Sequence, residues 1–139
     1  MNMSDLYANR IKNKFGGAGV IPYCKSTGRY MLCQRSGGVK LPWTWAGFGG
    51  EIDPGESPEE AAVREMYEEA GYTGKITLKL TYKYDEPRFE YFNFIGTVPK
   101  EFEAELNWEN VDAQWFKKGE WPEPLHPGIK EMLEHWTPE

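Results

Sequence analysis

Three glutamates, Glu65, Glu68 and Glu69, stand at i, i+3 and i+4 in a stretch that reads as one helix, Pro58 to Ala70. At the angular step of an α-helix their carboxylates fall within about 100° of arc. Like charges so placed repel by roughly 0.2–0.5 kcal/mol per pair. Taken alone, the pattern is either a solvated acidic face or a site for a hard divalent cation, because carboxylate oxygens are the ligands that Mg²⁺ and Mn²⁺ prefer. Arg64 offsets part of the repulsion if it reaches Glu60 and Glu68 at i±4. The segment just upstream favours the cation. Gly47, Gly49, Gly50 and Gly55 permit a tight loop whose backbone can approach a ligand closely, and Glu56 adds another acid at the helix entrance.

The helix that must carry these groups is well delimited. Ser57 is a natural N-cap, Pro58 suits the first helical position, and Glu60 completes a Ser-x-x-Glu capping box. Gly71 follows the last turn as a C′ residue. On the helical wheel Val63, Met66, Tyr67 and Ala70 form the i, i+3, i+4, i+7 stripe expected to pack on a core, with the three glutamates on the other side.

The rest of the chain supplies strands. After an arm from Met1 to Phe15, Gly16-Gly17 opens two strands, Ala18 to Cys24 and Arg29 to Arg35. Folding them about Thr27-Gly28 sets Cys24 opposite Met31, not opposite Cys33. A loop at Ser36-Gly37-Gly38, an aromatic segment Pro42-Trp43-Thr44-Trp45 and the glycine-rich stretch follow. Beyond the helix, strands are expected at Lys75 to Tyr84 and Phe89 to Val98 about a turn at Asp85-Glu86-Pro87. An acidic loop, Lys100 to Asn110, then leads to a short strand, Ala113 to Phe116. The closing helix, Gly128 to Trp136, continues an apolar stripe of Leu125, Ile129, Met132, Leu133 and Trp136, read as core. Strands around one central helix, with another at the end and no repeat or linker between, indicate a single layered α/β domain over residues 1–139, built on a mixed sheet.

Acidic residues outnumber basic ones by 22 to 16, so the surface is a poor match for duplex nucleic acid or an anionic membrane. The opening residues carry no apolar run and no stretch of 18 apolar residues occurs, which argues against a signal peptide and a membrane span. Cys24 and Cys33 are expected as free thiols in a reducing cytoplasm. Several familiar patterns fail on inspection. Gly17-Ala18-Gly19 has Pro22 where a dinucleotide fingerprint needs its third glycine, and Lys25-Ser26 follows Cys24 where a P-loop needs glycine. His126 and His135 lack zinc spacing, and no Ser-His-Asp order suggests a covalent nucleophile.

Gly50, Glu56 and Arg64-Glu65-Met66-Tyr67-Glu68-Glu69-Ala70-Gly71-Tyr72 resemble the Nudix box, G-x5-E-x7-R-E-U-x-E-E-x-G-U, at every fixed position. Tyr72 stands where an aliphatic residue is usual, and Phe48 where the family commonly has proline before its Gly-Gly pair. The flanks resemble the family too, through the strand ending at Arg35, Trp45 before the glycines, and Trp115-Phe116. The resemblance implies an α/β/α sandwich around a mixed β-sheet and Mg²⁺-dependent cleavage of a diphosphate linkage, with Mn²⁺ as a substitute. It implies that Glu65, Glu68, Glu69 and the Gly49 carbonyl hold one to three divalent ions. Glu56 and Arg64 would orient those carboxylates. The general base would be Glu65 or Glu109, the latter lying before Trp115 at a spacing similar to the distal catalytic glutamate of MutT-type members.

For the substrate, Arg35 is a candidate for phosphate, and Trp43, Trp45, Phe48 or Tyr91 for stacking on a base, although core packing competes for each aromatic ring. Pro87 lies near where ADP-ribose-cleaving relatives often carry a proline, but a turn explains it equally well. The resemblance points first to a nucleoside triphosphate as the small-molecule substrate of a monomer or homodimer. ADP-ribose, dinucleoside polyphosphates and RNA 5′ ends are the alternatives within the enzyme class. Outside it stands a catalytically inactive nucleotide-sensing module, disfavoured by the intact glutamates.

Overall fold

The computed structural model describes residues 14–136. Among them are seven strands and two helices. The strands are β1 (Phe15–Cys24), β2 (Arg29–Arg35), β3 (Trp45–Ala46), β4 (Phe48–Glu51), β5 (Thr77–Glu86), β6 (Phe89–Val98) and β7 (Asn110–Lys117). Helix α1 (Pro58–Ala70) follows β4, and helix α2 (Pro127–His135) closes the described chain. The arm expected at residues 1–15 falls almost wholly outside the described residues, and its last member, Phe15, already belongs to β1.

All seven strands join one mixed sheet, which carries a helix on each face. β1 is its axis. On one edge it pairs in parallel with β6 along its whole length, from Phe15 opposite Phe89 to Cys24 opposite Val98. The other edge is divided between two antiparallel partners. β4 takes Gly17 to Val20, and β2 takes Tyr23 and Cys24. Pro22, which has no N–H to give a ladder, stands in the stretch between them. β5 lines β6, while β2 carries β3 and β7. Because β2 turns away to pair with β7, β4 has no strand on its outer edge.

The alternation of β1 feeds two cores. Ala18, Val20 and Cys24 face α1, where they pack with Phe48, Met66, Ala70 and Phe94. Ile21 faces the other way, toward α2, with Tyr30, Leu32, Trp45, Ile95, Met132 and Trp136. The layered α/β/α sandwich on a mixed sheet is therefore the observed fold. The apolar stripe of the last helix is core, as expected.

Four details depart from the sequence reading. Half of the glycine-rich stretch is strand β4, since β1 offers it an open edge and glycines allow close pairing. In the β1–β2 hairpin Cys24 faces Arg29, not Met31, because the Cys24 carbonyl accepts from the N–H groups of both Thr27 and Gly28, closing a longer turn with Gly28 at φ +71°. The second hairpin turns at Pro87-Arg88, and β5 runs to Glu86 opposite Phe89, two residues beyond the expected end. The fourth concerns the burial of α1. Val63 and Tyr67 are exposed, whereas Ala61, Ala62, Glu65, Met66, Glu69 and Ala70 are buried. The buried face is rotated from the apolar stripe because the helix turns two of its acids inward.

Candidate active site

α1 is held at its entrance as the sequence requires. The Ser57 side chain accepts from the Glu60 N–H, the Glu60 carboxylate accepts from the Ser57 N–H, and Gly71 caps the end at φ +71°. Ala61 and Ala62 leave no bulk between the helix and the sheet, and both are fully buried. That approach brings Glu65 and Glu69 against β4. A Cβ on Gly50 would stand 2.6 Å from the Glu65 Oε1, so glycine there is what admits the carboxylate. The Gly49 N–H donates to Glu69 Oε2 at 2.9 Å, and the Asn110 side-chain amide donates to Glu69 Oε1 at 3.1 Å. Glu68, one residue before, keeps its carboxylate at the surface.

Arg64 ties the acids together. Its Nε donates to Glu56 at 2.8 Å, and one terminal nitrogen reaches Glu65 at 2.9 Å and Glu68 at 3.1 Å. The other donates to Glu56 at 3.0 Å and to the Glu51 carbonyl at 2.9 Å. The expected partner Glu60 is not among these, because the capping box occupies it. A rigid fork of donors suits this work; a lysine could not span three carboxylates and a carbonyl at once. The Glu56 carboxyl is correspondingly held low by Arg64.

One guanidinium does not balance this cluster. Burial, followed by the hydrogen bond that protonated Glu69 gives to Glu65 and by the charge of Glu65, pushes Glu69 up to about 9. Glu109, in the turn just before β7, is likewise raised by burial and by the charge of Glu65, with Arg35 acting against the shift. Two buried carboxylates that crowd one another, with a third nearby, are the donor set a hard cation would relieve. Among the described residues no three acidic, His or Cys groups already surround a single point, so the Glu65–Glu69 pair is the nucleus of any such centre.

Of the substrate candidates, two are withdrawn. Trp45 is buried on the α2 side, edge-on to Phe116, and Phe48 is fully buried on the α1 side, so neither ring is available to a base. The bulk and apolarity that suggested stacking are used by the cores instead. Arg35 ends β2 with its Nε donating to the Lys40 carbonyl, and its charge is felt by Glu109, Tyr91 and His126. Trp43 is exposed at 53%, on a backbone with φ +67°, in the loop that bonds back to Arg35. Tyr91 lies across β1 toward Gly49. Asn110, which had no motif to announce it, joins the site through Glu69. Cys24 and Cys33 are free and buried; His126 caps α2 through its ring nitrogen. Two surface grooves, one at Phe102, Leu106 and Trp115 and one at Ile76, Val98 and Pro99, are lined by none of Glu65, Glu69 and Glu109.

A NUDIX domain model matches residues 14–136. A Bacillus subtilis (strain 168) protein named putative 8-oxo-dGTP diphosphatase is 35% identical over 91 residues, which is 64% of this chain and 60% of that protein. A Mycobacterium tuberculosis H37Rv protein named putative 8-oxo-dGTP diphosphatase 3 is 28% identical over 127 residues, 84% of this chain and 58% of its own length. Human diphosphoinositol polyphosphate phosphohydrolase 3-alpha is 34% identical over 85 residues, 56% of this chain and 50% of that protein. The chain thus spans between half and three-fifths of these relatives. Among solved structures, the MutT protein from Methanosarcina mazei Go1 superposes with a TM-score of 0.71 at 18% identity, over 87% of this chain and 91% of that one. The fold is shared at that distance. No helix among the described residues is long and apolar enough to cross a membrane.

Proposed function

Because the chain belongs to the Nudix hydrolase family, we propose that it is a Mg²⁺-dependent pyrophosphohydrolase acting on a nucleoside diphosphate-X substrate, in the first place a (deoxy)nucleoside triphosphate. The observation that carries this is the buried Glu65–Glu69 pair, pressed against a glycine strand edge and braced by Arg64. Such a pair is unfavourable in a folded protein without a cation and useful with one. The names of the Bacillus subtilis and Mycobacterium tuberculosis relatives favour a triphosphate, with an oxidised purine deoxynucleotide as the first compound to try. A nucleotide sensor without catalysis would not need this pair intact.

Glu65, Glu68, Glu69 and the Gly49 carbonyl would hold the metal, with Mn²⁺ as a substitute. When bound, divalent ions neutralise the diphosphate and lower the pKa of the attacking water. Arg64 and Glu56 fix the carboxylates so that little reorganisation is needed on binding. Glu109 and Glu65 are the two groups able to take the water's proton; the raised affinity of Glu109 for a proton suits it to the task. Arg35, whose charge reaches Glu109, would offer positive charge to the phosphate chain. The water oxygen bonds to one phosphorus, the bridging P–O bond breaks, and a triphosphate yields a monophosphate and pyrophosphate.

The test is a substrate panel with Mg²⁺: 8-oxo-dGTP, dGTP, ADP-ribose, a dinucleoside tetraphosphate and a diphosphoinositol polyphosphate, with products read by phosphorus NMR. Monophosphate and pyrophosphate from the triphosphates support the proposal. Turnover of only one of the other compounds replaces the substrate class, and turnover of none rejects the activity.

A further inference from the structure

The glycines of β1 have a use that neither the metal centre nor the dinucleotide pattern explains. Gly17 and Gly19 point to the face of the sheet opposite α1, as does Gly49 on β4. Together they make a shallow trough with no side chains, and the Tyr91 ring lies in it. A Cβ on Gly17 would stand 2.6 Å from the Tyr91 ring, and one on Gly19 would stand 2.5 Å from its hydroxyl oxygen. One on Gly49 would collide with the same oxygen. The phenol therefore crosses β1 from β6 and ends beside Gly49, whose N–H holds Glu69.

A phenylalanine would fill the trough as well. Tyr91 is half-buried, and no side chain or backbone group among the described residues pairs with its hydroxyl, which is left able to meet a ligand. Three side chains have been given up to seat this ring with its hydroxyl beside Gly49, the residue whose N–H holds Glu69.

Resting on the pyrophosphohydrolase reading above, we propose that Tyr91 is a substrate-contacting residue whose hydroxyl donates a hydrogen bond to a phosphate oxygen of the scissile diphosphate. Gly17, Gly19 and Gly49 position it. The donor faces the charge that develops on that oxygen as the bridging bond breaks, so its effect falls on kcat more than on KM.

The experiment compares wild type, Tyr91→Phe and Gly17→Ala with Mg²⁺ and the best triphosphate of the panel, alongside thermal melts. Tyr91→Phe is expected to lower kcat by about 10- to 100-fold with KM nearly unchanged. Its melting temperature should stay the same, since the hydroxyl bonds to none of the described residues. Gly17→Ala tilts the ring out of the trough and should lose rate similarly, while the double variant loses no more than either single one. In protein labelled at the tyrosine ζ-carbon, the Tyr91 resonance should move when an α,β-methylene triphosphate analogue binds. Should wild type turn over its substrate while Tyr91→Phe stays within twofold and the resonance does not move, the role of Tyr91 falls and the hydrolase reading stands. A rate loss that comes with a lower melting temperature makes Tyr91 a packing residue and also overturns the proposal. If wild type neither turns over nor binds any triphosphate, both readings fall together.

Discussion

Replacing Glu69 with glutamine should make the metal-free protein more stable while abolishing its activity. Burial and Glu65 hold the Glu69 carboxyl up to about 9, against about 4.3 for a glutamate in an unfolded chain. The folded state therefore keeps a proton that the unfolded chain releases. The stabilisation is fully present below about pH 4.3 and is lost as pH rises toward about 9, with a slope of about 1.4 kcal/mol per pH unit. By pH 7.5 the loss reaches about 4 kcal/mol as an upper bound, and about 2 kcal/mol once the site relaxes to accept charge. Glutamine avoids this loss. It also keeps both hydrogen bonds: its oxygen accepts from Gly49, and its amide donates to Asn110 once that side chain flips. For a chain of this size 2 kcal/mol is worth about 6 °C. Melts in EDTA should thus show Glu69→Gln and wild type together near pH 5 and the variant about 6 °C higher at pH 7.5. Mg²⁺ should then raise wild type more than the variant. A variant that melts at or below wild type at pH 7.5 in EDTA would refute the idea of two competing buried carboxylates.

Three other substitutions probe separate parts of the site. Gly50→Ala puts a methyl 2.6 Å from the Glu65 Oε1 and should cut turnover by about 100-fold, with a circular dichroism spectrum like that of wild type. Glu109→Gln should lower kcat by roughly 10²- to 10⁴-fold with Mn²⁺ affinity retained, read by calorimetry. In wild type the acid limb of kcat should lie above the ordinary carboxylate range, because burial and Glu65 raise Glu109. Trp43→Gly removes a side chain held at φ +67° and should stabilise the protein by about 1 kcal/mol in denaturant titration while raising KM for a nucleotide.

The family and its helix were more legible in the sequence than the packing around them. Fixed spacing marks α1 and its caps because capping is a local matter of a few residues, and the helix begins and ends where Ser57 and Gly71 say it should. The same local logic misplaced its buried face. A wheel assumes that apolar means inside, and here Glu65 and Glu69 are inside because β4 offers them Gly50, a backbone N–H and Asn110 from across the sheet. Trp45 and Phe48 failed as substrate contacts for a related reason. Position near a motif says nothing about which way a strand residue points, and both point into cores. The tie between Tyr91 and the glycines was out of reach, since it joins strands β6, β1 and β4 through a pairing that only the sheet order reveals.

The most direct measurement is turnover of 8-oxo-dGTP and dGTP by wild type, Glu65→Gln and Glu69→Gln with Mg²⁺, in ¹⁸O-labelled water, each variant first shown folded by its amide NMR spectrum. Wild type should release a labelled monophosphate or pyrophosphate, and both variants should fall by at least about 10³-fold. Folded variants that keep wild-type turnover, or products without label, would contradict water attack at a metal held by this carboxylate pair.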